Sequence, residues 1–225
     1  MVLILGHKAN TVKWIRRYLS EEADGVEIDI YCTPSGVRVG HLVPRREPRL
    51  LREKIGNILS NIHFTPSENF CDFTKKAAKL TRIAMIDLKG VDYTPSCMDE
   101  IIDAAKVFEK VYISTRIHVL ASKFASKGIT TLLSMDHYPV DPITDVKRSR
   151  AQGVSISSDY VDQALSNRLH EEGLILAVWT VNDEQEIARV VSLGADIIIT
   201  EYPRRARQVI EKLRGEEGSD RAERW

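Results

Sequence analysis

Apolar positions along the chain come in short runs separated by longer amphipathic stretches. The runs are VLILG at 2–6, GVEIDIY at 25–31, IAMIDL at 83–88, KVYIS at 110–114, ITTLLS at 129–134, GVSIS at 153–157, LILAVW at 174–179 and DIIIT at 196–200. Most are rich in Val, Ile and Leu and nearly continuous, as parallel strands covered on both faces are. The intervening segments 11–22, 67–80, 97–108, 117–127, 160–172, 183–193 and 204–214, with a short one near 143–150, predict helices. In 183–193, Ile187, Val190 and Val191 fall three to four residues apart, on one helix face. Eight strands, each followed by a helix, predict an α/β chain folded as a (β/α)8 TIM barrel, and 225 residues suffice for one. A doubly wound open sheet shows the same alternation.

One stretch breaks the rhythm. GVEIDIYCTPSGVRVGH, 25–41, places Pro34 and Gly36 in a turn between two strands, a hairpin extra to the barrel. The segment 42–66 follows, with Pro44, Pro48 and a basic run but no clear strand, and is expected as a loop or short helix over one barrel end. The hairpin and this segment form a small insertion after strand two. Residues 1–214 are expected as one barrel domain, and 215–225, GEEGSDRAERW, as a charged, frayed tail.

Charge and composition narrow the function classes. Lys plus Arg and Asp plus Glu both number 32, and a formally neutral chain is a poor nucleic-acid binder. The basic clusters RSR near 148–150 and PRRAR near 203–207 are expected as solvated faces. Cys32, Cys71 and Cys97 are odd in number and widely spaced, suggesting neither a disulfide framework nor a zinc knuckle. A reducing, cytoplasmic location fits. MVLILG is too short for a signal h-region, and no apolar run approaches the roughly 20 residues of a membrane span.

The barrel expectation gives the polar residues within strands a purpose. Catalytic groups of such barrels sit at the C-terminal ends of strands. His7 follows strand one, Glu27 and Asp29 lie two apart on strand two, and Asp87 and Lys89 end strand three. His41 ends the hairpin strand. Three clustered carboxylates are costly without a cation. Hard oxygen donors favour Mg2+, Ca2+ or Mn2+ over Zn2+. Two histidines beside such an ion make an acid–base pair, and Lys8 and Lys89 would face an anion. Each residue alone has an ordinary structural explanation; their joint placement at strand ends is what points to a metal site. Arg116 after strand four could reach a phosphate or simply form an ion pair. Asp136 and His137 could line the mouth or cap a turn, and Asn182 with Asp183 reads first as a helix N-cap.

GHKANT, GVEIDIYCTPSGVRVGH, IDLK, AVWTVND and GADIIITEYP occur in the order and at the spacing of the glycerophosphodiester phosphodiesterases, and the chain resembles that family. The resemblance is strong over 6–41 and 174–203, short at 86–89 and faint over 90–173. It implies a TIM barrel that hydrolyses glycerophosphodiesters to glycerol phosphate and an alcohol, with one divalent cation on Glu27, Asp29 and Asp87. His7 and His41 would be the acid and base, Lys8 and Lys89 would contact the phosphate, and Trp179 would pack against the glycerol carbons. The neighbouring glycerol hydroxyl would attack phosphorus, with the metal as Lewis acid and template.

Several positions depart from the family pattern. Lys8 stands for Arg, Ala9 for Gly, Leu42 for Asp, Asp87 for Glu and Glu201 for Asp. Lysine cannot grip phosphate with a two-pronged fork. The alternative to a hydrolase is therefore a barrel that keeps phosphate or metal binding with little or no turnover, a binding or regulatory protein. On either reading the partner is a small-molecule phosphodiester, not nucleic acid.

Overall fold

The computed structural model describes residues 2–41, 68–90 and 93–222. The expected insertion 42–66 and Leu42 fall outside them. The strands are β1 (Leu3–Gly6), β2 (Gly25–Thr33), β3 (Gly36–Val39), β4 (Ile83–Lys89), β5 (Lys110–Thr115), β6 (Thr130–Met135), β7 (Gly153–Ser157), β8 (Ile175–Trp179) and β9 (Ile197–Thr200). The helices are α1 (Val12–Ser20), α2 (Phe70–Ala77), α3 (Pro95–Ala105), α4 (His118–Ala125), α5 (Pro142–Ser149), α6 (Gln163–Glu171), α7 (Glu184–Ser192) and α8 (Pro203–Ala222). The sheet runs β1-β9-β8-β7-β6-β5-β4-β2, and a β1–β2 pairing closes it into a parallel barrel. β3 is the extra strand, antiparallel to β2. This is the (β/α)8 fold that the alternation predicts.

Local chemistry explains where the elements start. Thr11, Asn69, Thr94, Asp141, Asp162 and Asp183 cap helices by accepting a backbone N–H in the first turn. Asp183 is thus the cap of α7, while Asn182 does something else: its Oδ1 accepts from Thr200 Oγ1 at 3.2 Å and Glu201 N at 2.9 Å. Pro95 and Pro142 occupy first-turn positions, where a missing N–H costs nothing. Helix α8 runs on through residues expected to fray, and the Glu, Arg and Ala in that stretch are good helix formers.

Helix-facing strand residues pack under the helices in two large clusters, one around Phe70, Phe73, Ile28 and Ile86, the other around Leu133, Val154, Leu169 and Ile198. Inward-facing residues Leu5, Met85, Tyr112, Leu132, Ala177 and Ile197 form a separate plug inside the barrel. That plug is the floor on which the mouth is built.

Two sequence expectations need correction. The PRRAR cluster is not simply a solvated face: Arg207 donates to Asp24 Oδ1 at 2.7 Å and Arg205 to Asn182 O at 2.7 Å, tying α8 to loops of the barrel. The cysteines also include a pair: Cys32 at the end of β2 and Cys97 in the first turn of α3 form a disulfide. Their separation of 65 residues carries no hint that β2 and α3 meet there.

β7 and β8 come close together at Gly153. A Cβ there would lie 2.1 Å from Ile175 O and 2.7 Å from Ile175 N, both backbone atoms of the paired residue. Gly153→Ala should therefore destabilise the protein by about 2 kcal/mol, the usual cost of overpacking a fitted core. Chemical denaturation checks this; an unchanged midpoint would contradict the packing described.

Candidate active site

The site begins with strand register. On the adjacent strands β2 and β4, Asp29 pairs with Asp87, and Tyr31 with Lys89. Glu27 lies one inward position below Asp29. Oxygens of Glu27, Asp29 and Asp87 lie within 4.8 Å of one another. Glu27 is 4% exposed and Asp29 fully buried. Above the apolar plug opens a cavity of about 130 Å³, walled by His7, Lys8, Glu27, His41, Asp87 and Lys89 on one side. Ser114, Arg116, Ser134, Ser155 and Trp179 wall the other.

Lys89 is the counterion of this cluster in the protein alone. Its ammonium lies 3.0 Å from Asp29 Oδ1 and also pairs with Asp87. Burial alone would push the ammonium's pKa down, but Asp87, Asp29 and Glu27 outweigh it and hold Lys89 charged. Burial likewise acts against ionised Asp29, yet Lys89, His41 and Asn10 together keep its pKa far below the usual carboxylate range. Glu27 goes the other way. Burial first, and the neighbouring Asp29 charge second, push its pKa well above the ordinary value.

One ammonium does not satisfy three carboxylates. Among the described residues, Asp29 Oδ1 and Asp87 Oδ1 are buried without a hydrogen bond, although the first is within ion-pair reach of Lys89. Unmet buried oxygens on converging carboxylates fit a hard divalent cation. The donor set that could hold one is Glu27, Asp29 and Asp87.

The histidines stand on either side of β2. His7 is fixed by its backbone N–H to Thr200 O at 2.8 Å, and its Nδ1 is 3.4 Å from Glu201 Oε1. Glu201, where the family pattern has Asp, thus reaches His7. His41 sits where the hairpin returns. Gly40 N donates to Asp29 O at 2.9 Å, and His41 Nδ1 lies 3.2 Å from Asp29 Oδ2. With Nδ1 engaged by the carboxylate, Nε2 is left to face another partner. On the far side of the hairpin, Glu100 accepts from Val37 N at 3.1 Å and steadies it.

Lys8 carries the sharp turn after β1. It adopts φ 51°, while Ala9, standing for the family's Gly, stays out of the left-handed region. A left-handed lysine costs roughly 1 kcal/mol. Lys8 N offsets it by donating to Glu27 Oε2 at 2.6 Å, and Ala9 N by donating to Glu27 O at 2.7 Å.

Every residue expected at the site comes to one mouth: His7, Lys8, Glu27, Asp29, His41, Asp87, Lys89 and Trp179. Asp136 and His137 are exposed, and Asp136 pairs with Arg116 at 2.7 Å. Sequence reasoning left Asn10 without a role. Its Nδ2 donates to Asp29 Oδ2 at 2.8 Å, and its Oδ1 accepts from Asp29 N at 2.9 Å, a two-way clamp. It also passed over Ser114, Ser134 and Ser155, whose in-phase placement with Asp87 on successive strands was the available signal.

The fold and mouth define a (β/α)8 barrel with an acidic, histidine-flanked centre of the kind that works on phosphate esters. The chain belongs to the glycerophosphoryl diester phosphodiesterase family, whose model matches residues 74–205; its members are phosphoric diester hydrolases. Asp87, Lys89 and Trp179 lie inside that match, and His7, Glu27, Asp29 and His41 before it. A comparison with curated proteins finds no significant sequence match. Among solved structures, a Galdieria sulphuraria protein described as a candidate glycerophosphodiester phosphodiesterase has a TM-score of 0.75 at 16% identity, covering 94% of this chain and 98% of that one. A glycerophosphodiester phosphodiesterase from Parabacteroides distasonis has a TM-score of 0.70 at 17% identity, covering 94% and 97%. An Oleispira antarctica phosphodiesterase, solved with the product sn-glycerol-3-phosphate, has a TM-score of 0.70 at 14% identity, covering 93% and 96%. At these identities the solved structures show a shared fold.

Burial, more than any charge, lowers the His7 pKa from its ordinary 6.5, although Glu201 pulls it upward. In the metal-free protein His7 should therefore protonate below pH 6.5. The unfolded chain then binds that proton more readily, so stability should rise with pH from the folded value of His7 up to 6.5. His7→Asn should remove that rise. An NMR titration of the ring protons checks the first point, and a His7 midpoint at or above 6.5 would contradict the burial argument.

Proposed function

We propose that the protein hydrolyses glycerophosphodiesters to glycerol phosphate and an alcohol, with one divalent cation, Mg2+, Ca2+ or Mn2+, held by Glu27, Asp29 and Asp87. The observation that carries this reading is the convergence of three carboxylates within 4.8 Å, two with unmet buried oxygens, between two histidines in a family of diesterases. Such an ion, when bound, supplies Lewis-acid polarisation and charge neutralisation at the phosphoryl group.

The chain's own residues supply the rest. His7, kept neutral by burial, takes the proton from the glycerol hydroxyl next to the phosphoryl ester as that oxygen bonds to phosphorus. His41, as an imidazolium oriented through Nδ1–H on Asp29, gives its Nε2 proton to the departing oxygen as that oxygen's bond to phosphorus breaks and is left neutral. Water then opens the cyclic diester with the two roles exchanged. Lys8 and Lys89 face the phosphate as point charges, and Trp179 offers an apolar surface to the glycerol carbons. Asn10 keeps Asp29 in place, a positioning role. The Oleispira antarctica structure, with sn-glycerol-3-phosphate as product, supports the assignment of the substrate class. Absence of any helix long and apolar enough to cross a membrane among the described residues is compatible with a small diffusible substrate.

Asp29→Asn should lower divalent-metal affinity at least tenfold and abolish turnover, since an amide ligand lacks the charge. Titration calorimetry of Mg2+, Mn2+ and Ca2+, with a circular dichroism control for folding, is the check. Equal affinity in both proteins would remove Asp29 from the metal site. Wild-type metal binding with no hydrolysis of any diester would leave a binding barrel instead.

His7→Ala and His41→Ala should each slow hydrolysis by roughly 10²–10⁴-fold, the usual range for a lost general acid or base. The wild-type pH–rate profile should be bell-shaped and lose one limb in each variant. A His41→Ala protein with wild-type rates on every diester tried would leave His41 a structural residue.

A further inference from the structure

All three cysteines of the chain come to one place, the outer end of the hairpin. Cys32 lies on β2, opposite Val37 of β3. Cys97, bonded to it, is in the first turn of α3. One turn further along α3, Glu100 Oε2 accepts from Val37 N at 3.1 Å, and Cys71 Sγ of α2 lies 3.6 Å from Glu100 Oε1. Two strands and two helices thus meet around three sulfurs and one carboxylate.

This is also where the hairpin leaves the barrel. β2 pairs with β4 as far as Tyr31, opposite Lys89. Among the described residues, Cys32 and Thr33 beyond it have β3 as their only strand partner, and β3 is the edge of the sheet. Support from β4 ends there, and α3 takes over through the disulfide and Glu100. His41 inherits its place from this hairpin. Its side chain is 44% exposed, so packing does little to fix the ring. What aims it is the returning backbone, with Gly40 N on Asp29 O at 2.9 Å, and the contact of Nδ1 with Asp29 at 3.2 Å.

The sulfurs differ in access and reactivity. Cys97 is 4% exposed and Cys32 half-buried, so an external dithiol meets Cys32 first. One thiolate of the dithiol attacks Cys32 Sγ, and Cys97 Sγ leaves and takes up a proton. The second thiol of the reagent then displaces Cys32 Sγ, which is protonated in turn. The protein gains two electrons and two protons, and the dithiol ends as a disulfide. Cys71 stays out of the exchange. Burial first, and the Glu100 carboxylate second, raise its thiol pKa, and a protonated thiol is a poor nucleophile.

We propose that the Cys32–Cys97 bond is a redox-switched clasp on the hairpin: closed, it holds the outer end on α3 and keeps His41 aimed into the mouth; opened by a dithiol, it frees that end and slows turnover. The effect on turnover rests on the diesterase reading above, and the effect on the hairpin does not.

The test compares the air-oxidised protein with protein reduced by dithiothreitol and freed of the reagent. Thiol titration in denaturant should count one thiol, Cys71, in the first and all three cysteines in the second. Amide hydrogen exchange at Val37 and Gly40 should be about tenfold faster after reduction, as in a segment that opens locally. On a hydrolysed glycerophosphodiester, kcat should fall about tenfold, the scale of a slightly misplaced catalytic group, and return on reoxidation. Divalent-metal affinity should not change, because Glu27, Asp29 and Asp87 lie where β2 and β4 are paired. Cys32→Ser/Cys97→Ser should match the reduced protein and respond to neither treatment. Equal exchange in the two states would overturn the inference. So would three free thiols in the air-oxidised protein, a bond that dithiothreitol leaves intact, or a zinc ion held stoichiometrically by the sulfurs. Unchanged kcat alongside faster exchange would overturn the link to His41. Faster exchange in a protein that hydrolyses no diester would sustain the clasp while rejecting the catalytic reading.

Discussion

The structure of the mouth depends on the sharing of one buried ammonium by more carboxylates than it can satisfy. Charges a few ångströms apart inside a protein interact far more strongly than in water, in both senses. Asp29 and Asp87, side by side on neighbouring strands, are tolerable only because Lys89 lies against both. Glu27, one tier down, receives too little of that charge and resists ionisation. Asn10, His41 and the Lys8 backbone each spend a hydrogen bond on the same cluster. The turn after β1, the hairpin's return and the start of β4's loop are therefore all organised around one electrostatic deficit.

That deficit is confined by layering. Inward residues of the lower barrel are apolar and close-packed, so the polar tier has a dry floor and one open side. Interactions there are screened by solvent only from above. The two halves of the tier differ in chemistry: carboxylates and the Lys89 ammonium on β2 and β4, hydroxyls and an aromatic ring on β5 to β8. The architecture places all of them at strand C-termini, where loop changes can alter chemistry without disturbing the floor.

Much of this was legible in the sequence. Near-continuous apolar runs located every barrel strand, because strands buried on both faces carry no alternation to blur. Glu27, Asp29, Asp87 and Lys89 were visible as charged residues inside such runs, where burial makes charge expensive and hence informative. Ser114, Ser134 and Ser155 were not, since a serine in a strand is unremarkable until its neighbours across the sheet are known. Asn10 was hidden by the turn at Lys8, which folds the residue back onto β2. The Cys32–Cys97 pair and the Arg207–Asp24 contact join segments remote in sequence, and periodicity says nothing about such meetings.

The closing seam of the barrel sets an order of events. β1 is the first strand of the chain, but its partner on one side, β9, comes almost last, with Leu3 opposite Ile197 and Gly6 opposite Thr200. The backbone of His7 is held by Thr200, and its ring by Glu201. The strands bearing the carboxylates can therefore pair with each other and with β1 while the first histidine still lacks its β9 anchor. A chain ending short of residue 200 would carry the acidic half of the centre without the Thr200 and Glu201 contacts that align His7.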